Sequence, residues 1–163
     1  MVVQGPVSLR HFIQPKFEPE LAVVLKQDIS PAASQEMVRQ AIQAAYLGID
    51  ILDSIWADYR FSIAEVVADN SSGGGFLRGT QPLLLPVEGM LRLSLNGNLL
   101  VEGSFTAPGQ IEECLSWLAS QVKGLAAGQI IYLGSPVAAQ TAMPGRVELL
   151  GPQESLLAVT FDL

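Results

Sequence analysis

The sequence contains one cysteine and one histidine, and both scarcities exclude kinds of site. An internal disulfide or a cysteine-based zinc cluster needs several sulfur atoms, so Cys114 can form neither within one chain. We interpret Cys114 as a small hydrophobic residue on a helix. Histidine is a common general base, but no spacing connects His11 to a cluster of acidic residues. The chemistry of this chain is therefore not expected to depend on sulfur or imidazole.

Long apolar runs and an excess of positive charge are also absent. No run approaches the roughly 20 residues that span a bilayer, and the start of the chain lacks the segments of a signal peptide, which predicts a cytosolic protein. Lys and Arg number 9 against 16 Asp and Glu, so the net charge of −7 opposes contact with nucleic acid or membrane surfaces. The glycine run at 73–75 lacks the Lys-Ser/Thr end of a phosphate loop, and Gly-x-Ser-x-Gly does not occur. Nucleotide hydrolysis and serine hydrolysis are thus disfavoured.

Apolar residues are plentiful, at 49% of the chain. A length of 163 residues fits one core, so we expect a single domain over residues 1–163. The chain has ample apolar surface to bury, and this high apolar content favours a homo-oligomer, in which an interface buries part of it.

Hydrophobic periodicity and turn residues predict an α+β domain in which strands outnumber helices, with two main helices. The first helix covers 33–45, with Ser30 or Ser34 as its cap, and the second runs from Pro108 to Gly124. Asn96-Gly97 predicts a two-residue hairpin, and Ser71–Gly75 predicts a glycine-rich turn. Residues 53–58 are expected to form a loop or short helix. Strands are expected at 17–26, 46–52, 129–133, 146–150 and 156–161.

Two glutamates in the first of these strands could act together. Side chains alternate along a strand, so Glu18 and Glu20 point the same way, about 6.6 Å apart along the backbone. Pro19 between them suits the beginning or edge of a strand, where a ligand can enter. Two glutamates spaced in this way more often face solvent than a metal ion, so the pair alone does not predict a site.

The segment Phe12–Leu25 that contains this pair resembles the metal-binding strand of the 2-oxo-4-pentenoate hydratase and 4-oxalocrotonate decarboxylase group, within the fumarylacetoacetate hydrolase superfamily. Gly48–Tyr59 is similar to the segment that carries the third acidic ligand of that group, which places Asp50 at the ligand position. The group usually has glutamate there, and aspartate occurs in the wider superfamily. The resemblance therefore implies a metal site at Glu18, Glu20 and Asp50.

Two further segments extend the resemblance over nearly all 163 residues. Val67–Gly73 resembles the Ala-Asp-Asn-x-Ser segment that lines the substrate pocket of the group, which implies Asn70 and Ser72 as substrate contacts. Gly128–Pro136 resembles the strand and turn that close the pocket, with Gly134 as the matched residue.

The resemblance implies a strand-rich β-roll or barrel-like fold of the fumarylacetoacetate hydrolase C-terminal type, and a reaction. Three carboxylates suit Mg²⁺ or Mn²⁺, which prefer oxygen ligands. A small 2-oxo acid would bind the ion through a carboxylate oxygen and its keto oxygen, and the metal would stabilise an enolate. The expected activity is that of a lyase, by hydration or decarboxylation.

Three departures from the group leave two alternatives open. Members carry a further amino-terminal portion with an active-site lysine, which this sequence lacks, so Lys16 is the catalytic candidate here. Ala107 stands where the hydratases usually have histidine, and Leu133 stands where threonine is usual. These changes remove polar groups, so the chain could instead be a catalytically degenerate relative with an interaction or regulatory role and a protein partner. It could also be a split gene product completed by another chain.

Overall fold

Two five-stranded sheets form the framework of the protein, in a computed structural model that describes residues 6–105 and 110–163. The helices are α1 (Gln35–Ala41), α2 (Ile63–Ala68) and α3 (Gln110–Val122). The strands are β1 (Val7–Ser8), β2 (Lys16–Leu25), β3 (Ile42–Leu52), β4 (Gly73–Arg78), β5 (Gly89–Leu95), β6 (Asn98–Phe105), β7 (Ile130–Tyr132), β8 (Gln140–Thr141), β9 (Gly145–Leu150) and β10 (Leu156–Asp162). The expected strand-rich α+β fold is confirmed.

The first sheet has the order β1-β10-β9-β5-β6, and the second has β4-β3-β2-β7 with β8 also paired to β2. Except for the parallel pair of β1 and β10, neighbouring strands are antiparallel. The core lies between the sheets, where the ring of Phe17 from β2 packs on Phe161 from β10 with centroids 4.4 Å apart. One cluster of buried apolar residues includes side chains of both sheets and of α1 and α3.

The side chains at the beginning of β2 alternate between this core and a polar face. Phe17 and Leu21 are almost completely buried against the core, whereas Lys16 and Glu18 point to the opposite face. Strands β8 and β7 pair with the beginning and the end of β2 on its side away from β3. Within the described residues, 18–20 therefore have only β3 as a backbone partner, and this gap in the sheet lies beside the glutamates.

Several sequence predictions are confirmed. Asn96 and Gly97 both have positive φ, at 50° and 78°, and join β5 to β6 as the two-residue turn requires. The second predicted helix is α3, followed by Gly124 at a φ of 115°. Ser34 is the residue that caps α1, because its side chain accepts from the Met37 backbone N–H.

Within the described part of the chain, no helix has the length and apolar character needed to cross a membrane.

The helix predicted at 33–45 is too long. It ends at Ala41, and residues 42–45 belong to β3. The apolar residues Ile42 and Ala45 fit the spacing of a helix as well as they fit a strand, but pairing with β2 gives this backbone its hydrogen bonds and buries both side chains.

The glycine-rich turn predicted at 71–75 is wrong from residue 73 onward, because 73–75 begin β4. A Cβ at Gly74 would lie 2.8 Å from the Ile51 carbonyl oxygen and 2.7 Å from the Asp53 Cβ. Glycine is therefore needed here for close approach to β3. Besides the two predicted helices, the structure has the short α2, in which Ser62 and Glu65 form a capping box. Cys114 lies on α3 as predicted, but it is exposed and does not pack as a buried hydrophobic residue.

Candidate metal centre

Three carboxylates meet on the polar face of the second sheet. Glu18 and Glu20 extend from β2, and Asp50 extends from β3 directly opposite Glu18 in the strand register. One ligand oxygen from each residue lies within 4.8 Å of the other two. The predicted shared direction of Glu18 and Glu20 is confirmed, and strand pairing brings Asp50 to them across 30 residues of sequence.

Burial makes this cluster costly to ionise. Glu20 is 3% exposed, and burial raises its pKa to about 7. The charges of Asp50 and Glu18 act in the same direction, against a hydrogen bond of 2.8 Å from the Gly134 backbone N–H. The pKa values of Glu18 and Asp50 are also raised, in each case mainly by burial, and Asp50 adds to the effect at Glu18.

The donor set fits a hard divalent cation. Three carboxylate oxygens at this spacing repel one another, and a positive ion between them would remove both the repulsion and the cost of burial. Sulfur and imidazole donors, which would select softer metals, do not occur in the cluster. The residues present are therefore those that Mg²⁺ or Mn²⁺ prefers.

Lys16 lies on the same face as the carboxylates, two residues before Glu18 in β2. Its ammonium nitrogen is 3.9 Å from the centroid of the Tyr59 ring, a cation–π contact. The positive charge of Lys16 lowers the pKa of Glu18, in opposition to burial and to Asp50. The structure thus brings the catalytic candidate to the edge of the acidic cluster.

An aromatic wall, formed by Phe76 and Tyr132, borders the other side of the cluster. The two ring centroids are 5.5 Å apart, and the Tyr132 hydroxyl donates to the Leu77 carbonyl oxygen at 2.7 Å. Tyr132 lies over Gly48, where a Cβ would come within 2.5 Å of the ring. Burial raises the pKa of the Tyr132 phenol further above its ordinary value, and the nearby Asp50 and Glu20 add to this. Sequence reasoning missed this wall, because the only local signal is the absence of a side chain at Gly48.

A second missed feature is the anchoring of the loop after β3. The Asp53 carboxylate accepts hydrogen bonds from the backbone N–H groups of Ile13 and Gln14. The Gln14 side chain donates to the carbonyl oxygens of Ser54 and Trp56 and accepts from the Asp58 N–H. This network fixes the loop that presents Tyr59 to Lys16.

The structure places the three predicted substrate contacts in different surroundings. Gly134 is exposed at a φ of 91°, and its N–H is occupied by Glu20. Ser72 is 2% exposed, with its hydroxyl 3.4 Å from the Asp69 carboxylate. Asn70 is exposed on the turn before β4. Their role as substrate contacts stays a prediction.

Leu133 and Ala107 are the two positions at which the sequence predicts the loss of a polar group. Leu133 is partly buried and packs against the hydrophobic core, and its backbone N–H donates to the Leu21 carbonyl oxygen. The side chain thus contributes to packing beside the gap in the sheet. Ala107 lies outside the described residues.

Comparisons with known proteins agree with this architecture. The chain is 28% identical over 148 residues to a 4-oxalocrotonate decarboxylase from Pseudomonas sp, covering 86% of this chain and 58% of that protein. It is 34% identical over 122 residues to a 2-hydroxypent-2,4-dienoate hydratase from Pseudomonas putida, covering 71% of this chain and 54% of that protein. The chain thus spans little more than half the length of these curated relatives.

A solved structure shows the same fold. It is the 4-oxalocrotonate decarboxylase from Pseudomonas putida G7 complexed with magnesium and adipate, at a TM-score of 0.83 and 24% identity, covering 97% of this chain and 64% of that one. The family model for the fumarylacetoacetate (FAA) hydrolase C-terminal region matches residues 1–157. This match covers almost the whole sequence, and the chain belongs to the fumarylacetoacetate hydrolase C-terminal family.

Proposed function

We propose that Glu18, Glu20 and Asp50 bind one Mg²⁺ or Mn²⁺ ion and that the chain is a lyase of small 2-oxo acids. The observation that carries this proposal is the spacing of the three carboxylate oxygens, each within 4.8 Å of the others on one face of the sheet. The names of the relatives support it, since they are hydratases and decarboxylases. The similar solved structure, which is complexed with magnesium, supports the choice of ion.

The ion, when bound, would act as a Lewis acid and stabilise negative charge on the keto oxygen of the 2-oxo acid. The residues of the chain would hold and enclose the substrate. The Gly134 N–H fixes the Glu20 carboxylate, and the aromatic wall of Phe76 and Tyr132 limits access of water from one side. Lys16, the catalytic candidate, presents a positive charge to an anionic substrate from the other side.

We extend the proposal to the finer predictions from sequence. Asn70, Ser72 and Gly134 remain the proposed substrate contacts. The proposed reaction is hydration or decarboxylation of the acid. We propose a single-domain, cytosolic homo-oligomer as the protein that carries it out. A 2-oxo acid also fits the charge of the site, because a divalent ion and Lys16 together balance the negative charges of the three carboxylates. The site with its ion then does not repel an anionic chelator.

Calorimetric titration tests the metal site. Mg²⁺ and Mn²⁺ are titrated into the protein with and without oxalate, which mimics the chelating end of a 2-oxo acid. We expect metal binding that oxalate strengthens, and loss of that binding in Glu20→Gln. The matched control is Glu88→Gln, which removes an exposed carboxylate and should bind as the wild type does. Absence of metal binding to the wild-type chain contradicts the proposal.

Turnover is a separate measurement. Ultraviolet absorbance follows the consumption of unsaturated 2-oxo acids. For unsaturated dicarboxylic substrates, the release of carbon dioxide is measured. We expect one of these activities to require Mg²⁺ or Mn²⁺ and to be absent in Glu20→Gln. Binding of metal and oxalate without any turnover would instead favour the catalytically degenerate alternative, with a protein partner in place of a substrate.

A further inference from the structure

A cleft of about 340 Å³ opens beside the acidic cluster, on the Lys16 side. Its lining comes from the beginning of β2 and the segment before it, from the anchored loop after β3, and from β8 and the residue after it: Gln14, Pro15, Lys16, Asp58, Tyr59, Thr141 and Ala142.

Strand pairing places the polar groups of the cleft next to the carboxylates. Lys16 and Glu18 are on one face of β2, about 6.6 Å apart along the strand. Thr141 of β8 is the register partner of Lys16, so its hydroxyl is on the same face. The cleft and the acidic cluster are therefore neighbouring parts of one surface, at a separation that a short carbon chain spans.

The Lys16 ammonium is positioned but not neutralised by direct contact. The Tyr59 ring holds it at 3.9 Å, and the Tyr59 hydroxyl is itself fixed by a hydrogen bond of 3.1 Å to the Gln14 carbonyl oxygen. No carboxylate of the described residues forms an ion pair with Lys16 within 4.0 Å. The ring removes water from one side of the ammonium and leaves its N–H groups available to another acceptor.

We propose that Lys16 binds a second carboxylate of the substrate in this cleft, so that the chain selects dicarboxylic 2-oxo acids over monocarboxylic ones. This inference rests on the proposed function, in which the 2-oxo acid end lies at Glu18, Glu20 and Asp50. A charge-assisted hydrogen bond to the ammonium, with the Thr141 hydroxyl as a second donor, supplies the preference.

Two other charged residues near the cluster could affect the binding of the second carboxylate. Arg78 lies on the other side of the cluster, but its guanidinium is stacked 4.2 Å from the Tyr46 ring and donates to the Gly79 carbonyl oxygen, and it does not line the cleft. Asp58 does line the cleft, and its negative charge weakens the binding of an anion. Asp58 is exposed, so solvent screens its effect.

The test compares two ligands of equal chain length, 2-oxoadipate and 2-oxohexanoate, which differ in having a carboxylate or a methyl group at the far end. Calorimetry in saturating Mg²⁺ measures both affinities for the wild type and for Lys16→Met. We expect the wild type to bind 2-oxoadipate about tenfold more tightly, the factor that corresponds to one charge-assisted hydrogen bond of modest strength. Lys16→Met should bind the two ligands with equal affinity.

Three variants complete the design. Lys16→Arg keeps the charge and should keep most of the preference. Lys26→Met removes an exposed lysine just beyond the opposite end of β2, and Arg78→Met removes the rival cation; both should keep the full preference. Loss of the preference in Arg78→Met but not in Lys16→Met would overturn the assignment to Lys16.

Failure of this inference is distinguishable from failure of the proposed function. Equal affinity for the two ligands in the wild type would contradict the dicarboxylate preference while leaving the metal site intact. Failure of the wild type to bind either ligand in Mg²⁺, although Mg²⁺ itself binds, would remove the 2-oxo acid site and this inference with it.

Discussion

Glu20→Gln is expected to make the metal-free protein more stable at neutral and alkaline pH, although it removes a proposed metal ligand. Glu20 is almost completely buried, and its pKa is about 7 against an ordinary value of 4.5. The substitution keeps a side-chain oxygen that can accept the hydrogen bond from Gly134. It removes only the charge that burial and the neighbouring carboxylates disfavour.

The direction of the pH dependence follows from the raised pKa. Below pH 4.5, Glu20 is protonated in both the folded and the unfolded chain, and its contribution to stability is fully present. As the pH rises from 4.5 to about 7, the unfolded chain releases the proton before the folded one does, so the free energy of unfolding falls. Above about pH 7 the loss is complete, and it amounts to about 3 kcal/mol at most.

Urea denaturation in the presence of a chelator, from pH 4.5 to pH 8, measures this loss. We expect the free energy of unfolding of the wild type to decline by up to about 3 kcal/mol more than that of Glu20→Gln over this range. A residual decline should persist in the variant, because the pKa values of Glu18 and Asp50 are raised by burial as well. Glu88→Gln should follow the wild type.

Addition of Mg²⁺ at pH 8 should reverse the order of stability. A ligand that binds only the folded chain stabilises it by about 4.1 kcal/mol at a thousand times its dissociation constant, which exceeds the loss of about 3 kcal/mol, and the variant should gain little. Parallel pH profiles of the wild type and Glu20→Gln in chelator would refute the argument, since they would show that the Glu20 charge carries no burial cost in the folded protein.

Two further substitutions test the packing that supports the site. Gly48→Ala should destabilise the protein by about 1–3 kcal/mol in urea, since a Cβ would lie 2.5 Å from the Tyr132 ring, whereas Gly75→Ala, with its nearest neighbour at 4.0 Å, should be nearly neutral. Equal effects would contradict the close approach at Gly48. Phe17→Ala should cost about 3–5 kcal/mol, because it removes the ring that packs on Phe161 between the sheets; a loss below 1 kcal/mol would refute that contact.

The acidic cluster shows how far sequence reasoning extends. Alternation along a strand is a local rule, so the common direction of Glu18 and Glu20 follows from their spacing alone. Asp50 entered only through the resemblance of its segment to a known family, because no local rule states which residue of β3 lies opposite Glu18. The Asn96-Gly97 hairpin was predictable for a similar local reason, since the turn itself demands residues that accept positive φ.

Predictions were wrong where one pattern fits two structures. Residues 42–45 have the apolar spacing of a helix, and only the availability of β2 as a partner makes them strand. The glycines at 73–75 suggest a turn, yet they serve close approach to β3. In both places the deciding contact is with a segment distant in sequence, and periodicity contains no information about it.

The sequence by itself determined which backbone segments become strands and helices in most of the chain, the family to which the chain is similar, and the pair of glutamates on one strand face. Only the tertiary structure decided that Tyr132 covers Gly48, that Gln14 and Asp53 anchor the loop after β3, and that Lys16 borders a cleft with Tyr59. The physical reason is one of range. Alternation and turn conformation depend on neighbouring residues, whereas burial, raised pKa values and the shape of a cleft depend on segments that approach one another only when the sheets pair and pack.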